Sequence, residues 1–527
     1  MTTLTSPAMN DRTPEVRIAH LETELRRTDS ELRRTGLQLQ LANMLIAKLQ
    51  LELRRERIIR LGPTSEKLSD LQMELLHLEP SITADEVNAE AARPVFAATQ
   101  PEQETKTRKA HPGRQTLSES LPRTVVTAEC PAEDRVCGCC GKETSVIGYD
   151  ESEELDKEPA KYFVRVTRRE KRACRSCDQA TVKTAAQAPK IVEKGLAADG
   201  VVIDTVIGKY CDHLPLYRQS AILQRETGVV ISRATLDGWV MRVGELLGPV
   251  VNGMRTDLLK SPYVQADETT VDVQMHIKTG SNHEAWLWQY GTPKSETVFE
   301  FQMGRGRDGP KKFLGNFDGI LQSDGYQVYD GIGGPKLRHI GCWAHARRKF
   351  VDAVKVNPRD EDAVRMVAAM DDLFAVERKA KENGLTPEQR QQLRREVSLP
   401  LADKIHADGV KLTQSGLPQQ MTVKGAVYLT NQWTRLRRCL ELEEAEISNN
   451  LAENSMRPVA LGRKNWLHIG SVSAGPKVAA ILSVVESCRR LGVSARQYLA
   501  DVLPGLGRKT LSEAQALTPA KWAARNR

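Results

Sequence analysis

Residues 263–274 read YVQADETTVDVQ, and residues 284–291 and 297–304 read EAWLWQYG and TVFEFQMG. All three carry the β-branched and aromatic composition of strands, so this region opens with three consecutive strands. GPKKFLGNF (309–317) follows as a short helix and GILQSDGY (319–326) as a fourth strand ending at Asp324. LRHIGCWAHARRKFVDAV (337–354) reads as a fifth strand running into a helix. Asp267 lies on the first strand of this series and Asp324 at the end of the fourth.

The order β-β-β-α-β-α-β is that of an RNase H-like α/β fold, with a weak signal for the helix between strands four and five. Strands one and four are neighbours in that fold, so the two aspartates converge. A third acid is then needed from a later helix. The stretch 447–466, ISNNLAENSMRPVALGRKNW, offers Glu453. The chemistry that calls for three acids is phosphodiester cleavage, which adds negative charge to a group already anionic. Two Mg²⁺ (or Mn²⁺) ions about 4 Å apart activate the nucleophile and stabilise the leaving oxygen. Carboxylates supply the hard oxygen ligands these ions take. Each acid also has an ordinary reading: Asp267 or Asp324 as a strand-end or turn aspartate, Glu453 as one half of a capping box with Asn450. The weight rests on the three together. Arg457 shares a helix face with Glu453, and Pro458 is a candidate kink or stop. Arg457, Arg463 and Lys464 are candidate phosphate contacts, as are Arg347, Arg348 and Lys349.

Upstream, Ile18, Leu21, Leu25, Leu32, Leu39, Ile46, Leu49 and Leu53 trace a heptad seam flanked by Arg and Glu. It predicts a short coiled coil that pairs two chains; a long surface helix is the alternative. We assign 1–78 to this segment, ending beyond Gly62-Pro63, and 79–125, rich in Pro, Glu, Thr, Lys and Ala, to a flexible linker. Residues 126–190 hold Cys137, Cys140, Cys174 and Cys177 in VCGCCGKE and ACRSCDQ. Two Cys-x-x-Cys knuckles suit one tetrahedral structural Zn²⁺, because each turns two sulfurs onto the same ion. A zinc ribbon is expected, with strand-like pieces such as Tyr162–Thr167. Cys139 is a spare thiol able to replace a neighbour. Residues 191–258 read as helical: an amphipathic helix, a turn at Gly228, then a second helix capped by Ser232 with Leu236, Trp239, Val240 and Val243 on its apolar face. This is helix-turn-helix-like, with Arg233 and Arg242 available to DNA. The catalytic domain spans 259–490, with charged helical text over about 358–442, and 491–527 form a helical tail.

The bulk properties fit. The chain has 527 residues, length for several domains, a net charge of +8 and a pI of about 8.9, a balance that favours a polyanionic partner. Its N-terminal text has no apolar signal core, and apolar runs such as Val478–Val485 are too short for a bilayer. A cytoplasmic protein with no membrane partner is expected. Ten cysteines are too few for a disulfide scaffold in such a chain.

Taken with LGPTSEKL (61–68), HLPLYRQ (213–219), QADET (265–269), LQSDGY (321–326), CWAHARRKF (342–350) and NNLAENSMRPVALGRKNW (449–466), the paired cysteine knuckles make nearly the whole chain resemble transposases of the insertion sequence 66 family. Two departures from the family pattern, Thr270 and Pro63-Thr64, lie outside the acidic trio. The resemblance implies a DDE triad of Asp267, Asp324 and Glu453, and a helical insertion between the last two. Cys342 and His345 match a Cys-x-x-His signature found after the fifth strand, read here as a buttress. It implies a bacterial, nucleoid-associated transposase that binds terminal inverted repeats and target DNA as a homodimer or higher synaptic oligomer. Accessory proteins from the same element are a further partner class. Two rivals remain: a structure-specific nuclease of the same fold, and a non-enzymatic zinc-dependent DNA-binding regulator.

Overall fold

A computed structural model describes residues 161–172, 183–275 and 282–526, together with Ile18, residues 22–29 and scattered positions from 123 to 149. Residues 22–29 are helical. Leu32 and the rest of the heptad seam beyond it, and the four knuckle cysteines, lie outside the described residues. The chain divides into two compact units, one comprising 97–168 and the other holding everything from Arg169 onward. In the smaller unit, residues 161–168, expected to include a strand, are exposed and make no strand ladder. Lys171–Arg172 pair antiparallel with Lys183–Thr184 in the larger unit.

The larger unit begins with three helices, α1 (Asp199–Tyr210), α2 (Leu216–Thr227) and α3 (Arg233–Leu258). Gly228 ends α2 in the left-handed conformation, φ 72°, which suits a residue without Cβ. The Ser232 hydroxyl accepts the Thr235 amide at 3.1 Å and caps α3. Leu236, Trp239, Val240 and Val243 are buried on one stripe of that helix.

Five strands follow: β1 (Tyr263–Gln274), β2 (Asn282–Gly291), β3 (Thr297–Gln302), β4 (Ile320–Gln322) and β5 (Arg338–Ile340). Their order across the sheet is β3-β2-β1-β4-β5. The first three are antiparallel neighbours, and β1, β4 and β5 run parallel. Helix α4 (Asp308–Leu314) links β3 to β4, whereas only a 3-10 turn, Gln327–Tyr329, lies between β4 and β5. The pairing sets Tyr263–Gln265 beside Ile320–Gln322, so Asp267 and Asp324 each follow the paired segment by two residues.

Helix α5 (Trp343–Val356) leads into α6 (Glu361–Glu382), α7 (Pro387–Leu393), α8 (Leu399–Ser415), α9 (Met421–Asn431) and α10 (Trp433–Glu441). These helices bury their own core around Trp343, Phe350, Leu373 and Phe374. At its polar heart Arg394 donates bidentately to Glu377 at 2.6 and 2.9 Å. The chain returns through α11 (Asn450–Trp466), α12 (Gly475–Arg490) and α13 (Ala495–Val502). The sheet, α1–α3, α12 and the C-terminal residues Tyr498–Leu506 share one continuous core. The boundaries expected near 258 and 490 therefore do not separate cores.

Strand β3 is an edge, and α12 covers it. The Ser483 and Ser487 hydroxyls, one helical turn apart, accept the amides of Phe299 and Thr297 at 2.8 and 2.9 Å. That meets donors which a bare edge would leave open. Close packing extends to α3, where a Cβ on Gly244 would lie 2.5 Å from the Lys477 carbonyl oxygen. Among the described residues no helix is long and apolar enough to cross a membrane.

Candidate active site

Asp267 sits mid-strand on β1, opposite Gln289 of β2. Asp324 stands two residues past β4, where its carboxylate accepts the Tyr326 amide at 2.9 Å and its backbone carbonyl accepts the Tyr428 hydroxyl at 2.5 Å. Glu453 lies in the first turn of α11. A buried amide network holds the three carriers together. Gln265 Nε2 of β1 donates to Gln322 Oε1 of β4 at 3.0 Å and to the Ser448 carbonyl at 3.1 Å. Gln322 Nε2 donates to the carbonyls of Gly341 and Glu446 at 3.0 and 2.8 Å. Two adjacent strands are thus pinned by buried hydrogen bonds, and the lead into α11 by part-buried ones, where a missing partner is costly.

The half-buried carboxyls feel one another. Burial, then the charges of Glu453, Glu268 and Asp324, push Asp267 well above the ordinary aspartate range. Burial also acts to raise Glu453, but His345, Arg348 and Arg457 together hold it below its usual value. Arg348 Nη2 donates to Glu453 Oε2 at 2.9 Å, and His345 Nδ1 lies 3.4 Å from Oε1. Burial lowers the His345 pKa, yet Glu453 and then Cys342 outweigh it and bring it up to about 10. Arg348 Nη1 stands 3.2 Å from His345 Nε2. Glu453 therefore stands between two cations, Arg348 and a protonated His345.

Two donor sets could hold a cation here. Asp267, Asp324 and Glu453 are all-oxygen and suit Mg²⁺ or Mn²⁺. Cys342, His345 and Glu453 bring ligand atoms within 4.8 Å of one another, a mixed set closer to zinc chemistry. Glu453 belongs to both. The oxygen set fits a hard cation on two observations: a carboxyl raised by three neighbouring acids, and a buried Glu453 Oε1 with no hydrogen-bond partner. The side-chain oxygens of Asn449 and Asn450, beside it on the same turn, are likewise buried and unpartnered.

A profile described as the transposase IS66 family matches residues 194–477, a span running from before α1 into α12 and including all three acids. The chain belongs to this family. A second profile, the zinc-finger binding domain of transposase IS66, matches 134–178 and encloses all four knuckle cysteines. A third, transposase C of IS166 homeodomain, matches 48–126, across the end of the heptad text and the stretch read as a linker. Among curated relatives, the uncharacterised protein y4jD of Sinorhizobium fredii is 30% identical over 508 residues, covering 91% of this chain and 96% of its own. The uncharacterised y4hP of the same organism is 30% identical over 505 residues, covering 90% and 88%. The zinc-finger match indicates a structural zinc.

The transposase places its candidate cations unequally. Arg233 is exposed at the start of α3, and Arg242 is half-buried 3.4 Å from Glu245. Arg348 is engaged by Glu453 and His345, and Lys349 lies over the Tyr428 ring at 5.5 Å. Arg347, expected among the phosphate contacts, is only 5% exposed and grips Asp371 at 2.6 and 3.2 Å. Its spacing from Trp343 and Phe350 puts it on the buried stripe of α5, a helical period legible in the sequence. Arg457 lies near enough to Glu453 to lower it, Arg463 donates to the Thr270 carbonyl at 2.7 Å, and Lys464 is exposed. Thr270, the departure from the family pattern, is therefore held to α11.

One acid was missed. Glu268, next to Asp267, has a side chain 2% exposed that accepts from Arg305 at 2.7 Å and from the Tyr329 hydroxyl at 3.2 Å. Burial and Asp324 nonetheless raise its carboxyl. Arg305 also stacks on Trp286 and Tyr326, with centroid distances of 4.6 and 4.0 Å. The doubled acid in QADET was the available signal.

Proposed function

We propose that this transposase is a DDE-type enzyme of RNase H-like architecture that binds the terminal inverted repeats of its element and carries out metal-dependent strand cleavage and strand transfer. The observation that carries the reading is the electrostatic convergence of Asp267, Asp324 and Glu453, which come from β1, the end of β4 and the first turn of α11. The sheet order with β1 between β2 and β4 supports the architecture. Asp267, Asp324 and Glu453 would hold the divalent ions, which supply Lewis-acid activation of the attacking oxygen and charge relief at the leaving one.

The chain's own groups prepare that site. The Gln265–Gln322 network sets the spacing of the two aspartates. Arg348 and a protonated His345 keep Glu453 ionised. Cys342 and His345 act as a buttress to Glu453 rather than as a separate metal site. A coiled coil over 1–78 would pair protomers, the zinc-binding segment 126–190 would be a ribbon, and α2–α3, with Arg233, would contribute end binding. Arg348 and Arg457 border Glu453, and with Lys349, and with Arg463 and Lys464 further along α11, they are proposed phosphate contacts, with Arg242 in a supporting place on α3.

The test is cleavage and strand transfer with Mg²⁺ on a fragment carrying the element's ends, beside gel-shift binding. Asp324→Asn keeps the side chain's shape and removes its charge. Activity should fall by orders of magnitude while repeat binding survives, because positioning and charge stabilisation are lost together. An Asp324→Asn protein that folds, binds and joins ends at the parent rate would exclude Asp324 from the site. Cleavage by the parent without joining would favour the nuclease reading.

A further inference from the structure

A cavity of about 310 Å³ opens at the far end of the two elements that carry Asp267 and Glu453. Trp466, the last residue of α11, lines it, as does Ile469, which bridges to Val273 near the end of β1. Glu453 is thirteen helical residues from Trp466, about 20 Å at the usual rise. Asp267 is six strand residues from Val273, again about 20 Å. The cavity is thus a fixed distance from the acids along two rigid elements.

Its chemistry is cationic. Lys209 from the end of α1 and Lys477 from the first turn of α12 line it, together with Ser473. Among the described residues neither ammonium is joined to a carboxylate by an ion pair. Burial pulls Lys209 below its ordinary pKa, with Asp237 acting the other way, so this lysine is desolvated without full compensation. The Tyr210 ring lines the same wall, with Lys209 Nζ 5.5 Å from its centroid. Two amines without an ion-paired carboxylate point to one ligand class, an oxyanion. Asp237 is the acid that an incoming anion meets beside Lys209.

We propose that this cavity is a subsite for a backbone phosphate of the bound DNA, held by Lys209 and Lys477 about 20 Å from the reacting phosphate. The proposal rests on the DNA-transposing reading above. At ~3.4 Å per base pair the separation corresponds to about six base pairs of one strand. Clamping a phosphate at that distance fixes the register of the duplex over the acids without reading a base.

The full chain is titrated with a labelled duplex carrying the element's terminal repeat at several salt concentrations. The proteins are the parent, Lys209→Gln, Lys477→Gln, their double variant, and Asp237→Asn. Lys411→Gln, whose lysine is exposed and paired with Asp408, controls for net charge. One lost phosphate contact should flatten the plot of log K against log salt by about 0.9 in the double variant and leave the Lys411 control unmoved. Asp237→Asn removes the competing acid and should tighten binding. It also reads the site should the lysine variants fold poorly, which thermal melting reports. An unchanged slope in a folded double variant, or unchanged affinity in Asp237→Asn, would overturn the proposal. Inorganic phosphate is the second probe: if it raises the melting temperature of the parent but not of the double variant while the DNA slope stays fixed, the cavity takes a free anion and not DNA. A parent that binds no duplex would fail the transposase reading itself, and the subsite with it.

Discussion

Replacing Asp267 with Asn should stabilise this protein while abolishing its chemistry. Asp267 is pushed well above the ordinary aspartate pKa by burial and by Glu453, Glu268 and Asp324. Ionising it in the fold therefore costs more than ionising it in the unfolded chain. Each unit of such a shift is worth about 1.4 kcal/mol. Asp267 retains partial access to solvent, so screening discounts the effect. Asn is nearly isosteric and removes that term, which predicts a melting temperature a few degrees higher. The effect depends on pH. Below about pH 4 Asp267 is protonated in both states and parent and variant should melt alike. As pH rises from there to the raised folded-state pKa, the unfolded chain has lost a proton that the native state keeps, so the parent loses stability. The gap widens through this window and levels off above it. The assay is thermal melting in EDTA across pH, repeated with Mg²⁺. Magnesium should raise the parent's midpoint more than the variant's, because ligand binding to the native state stabilises it and the variant lacks one ligand. A variant that melts at or below the parent in EDTA near pH ~8 would refute the claim that these acids repel.

Three further outcomes are expected. Purified protein should carry about one zinc per chain, falling sharply in a Cys174→Ser, Cys177→Ser double variant; full retention would remove the knuckle assignment. In the isolated segment 1–78, Leu32→Asp with Leu39→Asp should lower the mass seen by light scattering, and an unchanged mass would show that the seam does not associate. Arg394→Met should destabilise the helical insertion by about 1.5–3 kcal/mol, since it removes the bidentate partner of buried Glu377 and leaves it Arg390 at 3.2 Å. Adding Glu377→Leu should restore much of that loss in urea unfolding, and an additive double variant would contradict the pairing.

Patterns that repeat over a few residues were legible in the sequence alone. The strands at 263–274, 284–291 and 297–304, the Ser232 cap and the buried stripe of α3 follow from local period and capping chemistry, as does the position of each candidate acid on its element. Spacing likewise singled out the cysteine knuckles, which the zinc-finger profile encloses. Partnerships across the chain were not legible, because a side chain's charge says nothing of what will face it. Glu453 meets Arg348 from 105 residues earlier in the chain. Arg347, its sequence neighbour, turns inward to Asp371 because a helix aims adjacent residues about 100° apart. Glu268 is buried under Arg305 and Tyr329, contacts made by loops that no period encodes. The merging of α1–α3 with the sheet into one core, and the cavity between α1, α11 and α12, came from tertiary packing alone. Local sequence sets which faces are apolar; which faces meet is decided only when the whole chain excludes water.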